Sequence, residues 1–205
     1  MYLTRTPAWL QRRFPRYTWR GPAAGRVLYL TFDDGPVPEA TPWVLDTLRA
    51  YGARGTFFCV GDNVRKYPEL FRRLRDEGHA VGNHTAHHLD GWKTSKRTYL
   101  ADVEACAARV PGRLFRPPYG RLRPGQARAL HRDYRVVMWD VLSGDFDRRL
   151  DGVACATNVT RHARPGSIVV FHDSRKARPR LTEALPRVLD HFAARGYRFA
   201  VLSPE

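Results

Sequence analysis

Two adjacent carboxylates, Asp33 and Asp34, stand before Gly35-Pro36, and further along the chain come His84, His87 and His88, then Arg116, Asp140, Asp145 and the pair His172-Asp173. Carboxylates and imidazoles are the side chains that bind divalent cations and carry protons near neutral pH. Histidines four residues apart meet on one face of a helix and can share a cation with a carboxylate oxygen from Asp34. That gives a two-histidine, one-carboxylate set with coordination positions left open. The spacing allows His84 with His88 and also His84 with His87. Taken singly, Asp-Asp-Gly-Pro is ordinary turn chemistry, and a histidine pair is ordinary surface decoration. Together with an arginine and a distant histidine they make a converging set of titratable groups that a merely solvated turn would not require, which is what an active site presents. Metal-assisted hydrolysis and iron-dependent oxygenation both use such ligands.

These residues act together only if the fold gathers them. From Arg26 onward short apolar runs alternate with stretches of helical period, the pattern of a parallel α/β domain. Seven strands are predicted, at 27–31, 55–60, 80–83, 114–116, 136–139, 168–171 and 199–202. Between them Leu181, Ala184, Leu185, Val188, Leu189 and Phe192 form a helical stripe that stops at Gly196. A second helix is predicted over 63–77, and a third over 95–109 with Tyr99, Val103, Cys106 and Val110 on its buried face. About seven parallel strands in this length imply a distorted (β/α) barrel, although an open doubly wound sheet gives the same string. Both bind ligands at the carboxyl ends of their strands, where the residues named above fall.

With 205 residues the chain has the length of a single domain. No apolar run is long enough to span a bilayer. Cys59, Cys106 and Cys155 are too few for a disulfide framework and too widely spaced for a zinc cluster. The net charge of +15 comes from 31 arginines against 4 lysines. The arginines are scattered and no nucleic-acid-binding motif organises them, so no specific nucleic acid is expected as a partner. A solvated basic surface that steers anionic partners is the reading. Residues 1–24 read as an arm: residues 1–20 hold five arginines, no acid, and Tyr2, Trp9, Phe14, Tyr17 and Trp19. The arm lacks the apolar core and cleavage site of a secretory signal, so the expected location is the cytoplasm or the inner membrane face. Its aromatics are expected to cover an exposed edge of the domain. Arginine interleaved with tryptophan also suits weak contact with a membrane surface.

Thr31-Phe32-Asp33-Asp34-Gly35, His84-Thr85-x-x-His88, Arg116-x-Pro118-Tyr119 and His172 after an apolar strand occur in the order seen in polysaccharide deacetylases of the NodB homology type, carbohydrate esterase family 4. The chain resembles that family over nearly all of residues 26–202. The resemblance implies a distorted (β/α) barrel in a single domain, residues 25–205, and removal of the acetyl group from an N-acetylated amino sugar in a glycan. It implies Asp34, His84 and His88 as ligands of one divalent ion, zinc or else cobalt, nickel or iron, and so selects His88 over His87. Asp33 resembles the general base, paired with Arg116. The Tyr119 N–H would face the oxyanion, His172 would protonate the departing amine, and Asp145 resembles the carboxylate that supports that histidine. Thr85 would orient the histidine loop.

Two positions depart from the family pattern. Phe146 replaces a tryptophan and Val170 a leucine, and with Pro118 and Tyr119 they belong to the wall that receives the substrate. Trp92, Trp139 and Tyr119 are candidates for stacking on a sugar face. Two other readings accompany this one. A deacetylase or deformylase of a lipid-linked or nucleotide-linked amido sugar at the inner membrane face would suit the basic arm. A non-catalytic carbohydrate-binding relative would be expected to have lost Asp33 or His172, and both are present.

Overall fold

The computed structural model describes residues 2–203. The first half runs α1 (Ala8–Arg13), β1 (Val27–Asp33), α2 (Thr41–Ala50), β2 (Thr56–Cys59), α3 (Gly61–Lys66), α4 (Pro68–Asp76), β3 (Ala80–Asn83) and α5 (Lys96–Ala107). It continues through β4 (Leu114–Phe115), a short 3-10 turn (Pro118–Gly120), α6 (Pro124–Leu130), β5 (Arg135–Val136), β6 (Val141–Leu142), α7 (Gly152–His162), β7 (Ile168–His172), α8 (Arg178–Ala193) and β8 (Arg198–Phe199). The strands lie in the order β5-β4-β3-β2-β1-β7-β6, with β8 paired to the start of β1, and all these pairings are parallel. The sheet curls into an incomplete (β/α) barrel, one of the two arrangements the alternating pattern allows and the one the family resemblance implies.

β1 is buried along its whole length, which is why Val27–Asp33 reads as a nearly unbroken apolar run. Leu28, Leu30 and Phe32 pack against Val44, Leu45 and Leu48 of α2 and the buried stripe of α8. Tyr29 turns the other way and joins Phe58, Leu114, Val137 and Ile168 inside the barrel. The two-residue period of a strand therefore carries Thr31 and Asp33 onto the interior side, at the carboxyl end.

The seven expected strands all form among the described residues, and the two-residue β6, too short to leave a periodic signal, adds to them. Two expected elements need correction. The fifth strand, expected over 136–139, is Arg135–Val136, and beyond it the Val137 and Met138 carbonyls turn to accept from Arg116. The helix expected over 63–77 is two helices, broken at Tyr67 with φ −129° and ψ 58°. Pro68 is the cause, since its ring disfavours helical geometry at the preceding residue and it has no N–H to donate. Cys106 lies in the core as predicted, and Cys59 and Cys155 are likewise buried and free.

The N-terminal arm occupies the opening between β5 and β6. Arg5 bridges to Val141, Thr18 to Val137 and Arg20 to Ser167. The Thr6 N–H donates to the Asp140 carbonyl at 2.9 Å and the Thr18 N–H to the Val136 carbonyl at 2.8 Å, while Leu142 and Met138 donate back to the Thr4 and Thr18 carbonyls, both at 2.8 Å. Buried Asp140 accepts from Gln11 at 3.2 Å and from Ser167 at 2.6 Å, with Arg20 at 3.6 Å. The Tyr17 ring lies tilted against His131 at 5.1 Å, and Trp9 and Phe14 stay exposed. Deleting residues 1–20 should cost about 5 kcal/mol, at about 1 kcal/mol net for each of the four backbone bonds and the Gln11 bond lost, or a fall in Tm of roughly 10–20 °C for a chain of this size. An unchanged thermal melt would show that the arm stands outside the cooperative unit. Among the described residues no helix is long and apolar enough to cross a membrane.

Candidate active site

Asp33 and Asp34 diverge because the backbone turns between them. Asp33 ends β1 in the sheet, whereas Asp34 adopts φ 79°. The four non-glycine residues with positive φ among those described are Asp34, Thr85, His88 and Tyr119. Each costs roughly 1 kcal/mol or more in an L-residue. All four fall in the turns that follow β1, β3 and β4.

Arg116 follows β4 and is fully buried beneath this rim. Its Nη1 donates to Asp33 Oδ1 and to Thr31 Oγ1, each at 2.7 Å. Nη2 donates to the Met138 carbonyl at 3.0 Å and Nε to the Val137 carbonyl at 3.3 Å, and the guanidinium lies 4.1 Å from the Phe58 ring centroid. Burial lowers the arginine pKa and Asp33 opposes that shift. The pair presents one carboxylate at a fixed angle, with Oδ1 committed to the arginine.

His84 and His88 reach Asp34 from the β3 turn. His84 Nε2 lies 3.7 Å and His88 Nε2 3.1 Å from Asp34 Oδ1. One ligand atom from each of the three residues falls within 4.8 Å of the others. The His84 Nδ1 faces the Arg116 carbonyl at 2.7 Å. A carbonyl only accepts, so Nδ1 carries the proton and Nε2 presents its lone pair toward the cluster, the tautomer that a metal-ligating histidine needs. Burial pushes His84 down to about 4, favouring the neutral ring. Burial would raise Asp34, but His88, His172 and His84 outweigh it and hold the carboxyl well below the usual range. A neutral imidazole and an ionised carboxylate turned toward one point are a donor set that fits a divalent cation.

The expected helical face is not how the histidines meet. Residues 84–88 form an irregular turn with Thr85 at φ 64° and His88 at φ 56°. His87 points away, 65% exposed, with Nδ1 at 2.5 Å from Asp102 Oδ1. Asp102 Oδ2 also accepts the Ala86 and His87 N–H groups at 2.9 and 3.0 Å. Asn83 Oδ1 accepts from the Thr85 N–H at 2.8 Å, and Thr85 Oγ1 from the Leu89 N–H at 3.2 Å. Asp102 escaped the sequence reading, although an acid between Tyr99 and Val103 on the buried face of α5 was a visible signal.

β7 lies beside β1 with His172 in register with Asp33. Asp145 Oδ2 accepts the His172 N–H and Oδ1 faces Nδ1, both at 2.7 Å. Burial acts against the charged ring, but Asp145 outweighs it, with help from Asp34 and Asp33, and His172 is raised to about 10. Phe146 stands edge-on to the His172 ring at 5.3 Å, and Tyr2 packs behind it at 5.0 Å. Val170 is buried in β7 on the same side as His172, in register with Thr31. Pro118 is buried in the turn after β4, and the Tyr119 ring lies 4.8 Å from His88. Trp139 is partly buried against the barrel interior. Asp173, the next residue after His172, accepts from the Gly35 N–H at 3.2 Å and bonds Thr41 Oγ1 at 2.6 Å, which ties the Asp33-Asp34 turn to α2. Burial raises its carboxyl to about 8.

Residues 20–138 match the family model described as Polysaccharide deacetylase. A peptidoglycan-N-acetylglucosamine deacetylase of Bacillus cereus is 34% identical over 199 residues, covering 91% of both chains. A chitooligosaccharide deacetylase of Azorhizobium caulinodans is 32% identical over 190 residues, covering 83% of this chain and 90% of that one. Among solved structures, the Bc1960 peptidoglycan N-acetylglucosamine deacetylase superposes with a TM-score of 0.84 at 28% identity, covering 96% of this chain and 95% of the other.

Proposed function

As the chain belongs to the polysaccharide deacetylase family, we propose that it is a metal-dependent hydrolase that removes the acetyl group from an N-acetylated amino sugar in a glycan. The observation that carries this reading is that two charge-paired proton carriers, Asp33 with Arg116 and His172 with Asp145, end adjacent strands in register beside the Asp34, His84 and His88 cluster. Its relatives' activities on peptidoglycan and chitooligosaccharide support the same chemistry.

Asp34, His84 and His88 would hold the ion, zinc or another divalent metal that accepts one carboxylate and two imidazoles. Such an ion would supply Lewis acidity beside the reacting amide and water. Asp33 takes the proton of the attacking water, and Arg116 keeps that carboxylate aimed at it. The Tyr119 N–H, held by the left-handed turn, stabilises the negative charge that develops on the carbonyl oxygen. His172 delivers its proton to the sugar nitrogen as the C–N bond breaks, leaving acetate and a free amine. Phe146, Val170 and Pro118 give the acetyl methyl an apolar wall. Residues 25–205 form the deacetylase domain, with residues 1–24 as its arm. Trp9 and Phe14, exposed beside Arg12 and Arg13, suit peripheral contact with an anionic membrane surface.

Acetate release from N-acetylglucosamine oligomers tests the reading. Chelator-stripped protein is expected to lose the activity and regain it with zinc or cobalt, whereas Asp34→Ala stays inactive at the same metal concentration. Full activity in rigorously stripped protein would remove the ion from the reaction.

A further inference from the structure

Phe146 is held by two rings rather than by the core. Among the described residues it joins none of the three hydrophobic clusters. Its ring stands between His172, edge-on at 5.3 Å, and Tyr2, 5.0 Å away with the planes at 60°. The backbone on either side of it is fixed without that contact. Arg180 Nε donates to the Asp145 carbonyl at 2.5 Å, the Asp145 carboxylate is bonded to His172, and Asn158 Nδ2 donates to the Ser143 carbonyl at 2.9 Å. The course of the loop therefore does not depend on Tyr2, whereas the Phe146 side chain has Tyr2 as its stop. A ring wedged between two neighbours moves into the space that opens when one of them is removed.

Tyr2 is itself fixed at both ends. The arm carries it there by pairing with β6, where the Leu142 N–H donates to the Thr4 carbonyl at 2.8 Å and Arg5 bridges to Val141 in the antiparallel sense. Its hydroxyl donates to Asp147 Oδ2 at 3.1 Å. Arg149 clamps that carboxylate, with Nε on Oδ1 at 3.0 Å and Nη2 on Oδ2 at 2.7 Å. Gly144 leaves the room for the phenol: at φ 83° it lies where glycine is favoured, and a Cβ there would stand 3.0 Å from the Tyr2 hydroxyl and 2.9 Å from Leu150 Cδ1. A phenol with its ring on Phe146 and its hydroxyl on a clamped carboxylate fixes the position of a side chain that belongs to the candidate site.

We propose that Tyr2 is a specificity-determining residue that acts through Phe146: the arm sets how close the Phe146 ring stands to His172, and with it the length of acyl group that the site accepts. This rests on the deacetylase reading, in which Phe146 walls the acyl group, and adds to it a positioning residue from outside the barrel. A propionyl group carries one methylene more than acetyl, a difference that an apolar pocket discriminates by roughly 10- to 200-fold. With Tyr2 in place the wall stands forward and acetyl is preferred; without it Phe146 can retreat and the longer group gains.

The test compares N-acetyl- and N-propionylglucosamine oligomers of one length as substrates for the native protein, Tyr2→Ala and Tyr2→Phe. Tyr2→Ala is expected to raise the propionyl-to-acetyl ratio of kcat/KM about tenfold, and Tyr2→Phe, which keeps the ring, to hold the native ratio. An unchanged ratio in Tyr2→Ala, or a loss shared equally by both acyl groups as a loosened fold would give, would overturn the proposal. The His172 ring-proton resonances report the Phe146 ring current without turnover: they should move in Tyr2→Ala and stay in Tyr2→Phe. If the native protein releases neither acetate nor propionate, the deacetylase reading fails and the acyl assignment falls with it. The resonances then decide the positioning alone, and His172 signals that do not move in Tyr2→Ala overturn it.

Discussion

Asp33→Asn is expected to lower acetate release by about 10²- to 10⁴-fold, the usual worth of a positioned general base, while one equivalent of divalent metal still binds. The amide keeps an oxygen to accept from Arg116 Nη1, now 2.7 Å from Asp33 Oδ1, but it cannot take a proton from water at neutral pH. Metal binding is spared because the ligand atoms belong to Asp34, His84 and His88. Arg116 makes a control necessary, since it has no solvent exposure and Asp33 is the carboxylate it bonds. Removing one charge of a buried pair costs about 3–5 kcal/mol where nothing replaces it. Here Thr31 Oγ1 and the Val137 and Met138 carbonyls remain as acceptors, with Phe58 against the cation face, so the loss should be smaller and the fold retained. Thermal melting and metal stoichiometry of the variant establish that. A folded, metal-loaded variant with more than a tenth of native activity would take the proton-acceptor role away from Asp33.

That pairing also shows how much of the site could be read from the chain. Asp33, Arg116 and His172 lie far apart in sequence, yet each follows an apolar strand, and a parallel sheet must bring such ends to one rim. The sequence carried that much because strand burial writes itself as composition: β1 is buried on both faces and reads as Val-Leu-Tyr-Leu-Thr-Phe. Backbone geometry writes no such signal. His84 and His88 meet through left-handed residues in an irregular turn, and the helical spacing that first paired them has no part in it. The turn holds because Asn83 and Asp102 satisfy its N–H groups, and Asp102 comes from a helix whose pattern alone marks only an amphipathic face. β6 and the arm were hard to read for a related reason. A two-residue strand has no period, and on the side away from β7 it meets Thr4 and Arg5, at the other end of the sequence.

Asp145→Asn should produce a loss as large as that at Asp33, about 10²- to 10⁴-fold in kcat, and it should also move the pH profile. Both Asp145 oxygens take hydrogen bonds from one residue, Oδ2 from the His172 N–H and Oδ1 from Nδ1, each at 2.7 Å. An amide offers one oxygen for these two donors and sets its own N–H against the other, so either the ring turns or its tautomer changes. The charge is lost as well. Asp145 overcomes burial to raise His172 to about 10, so in the native protein the ring keeps its proton through neutrality. Activity that depends on the protonated ring is then present at neutral pH and falls as pH rises through the folded value. A divalent ion at Asp34 cancels one of the supporting charges and brings that limb somewhat lower, with Asp145 still the chief support. The same sign governs folding: the pair's contribution is complete below the ordinary histidine value near 6.5 and fades as pH climbs through about 10. In Asp145→Asn the alkaline limb should therefore retreat toward about 6.5, leaving residual activity only on the acid side. A variant with the native alkaline limb would show that Asp145 positions the ring without sustaining its charge, and one with native kcat would remove His172 from the step that frees the amine.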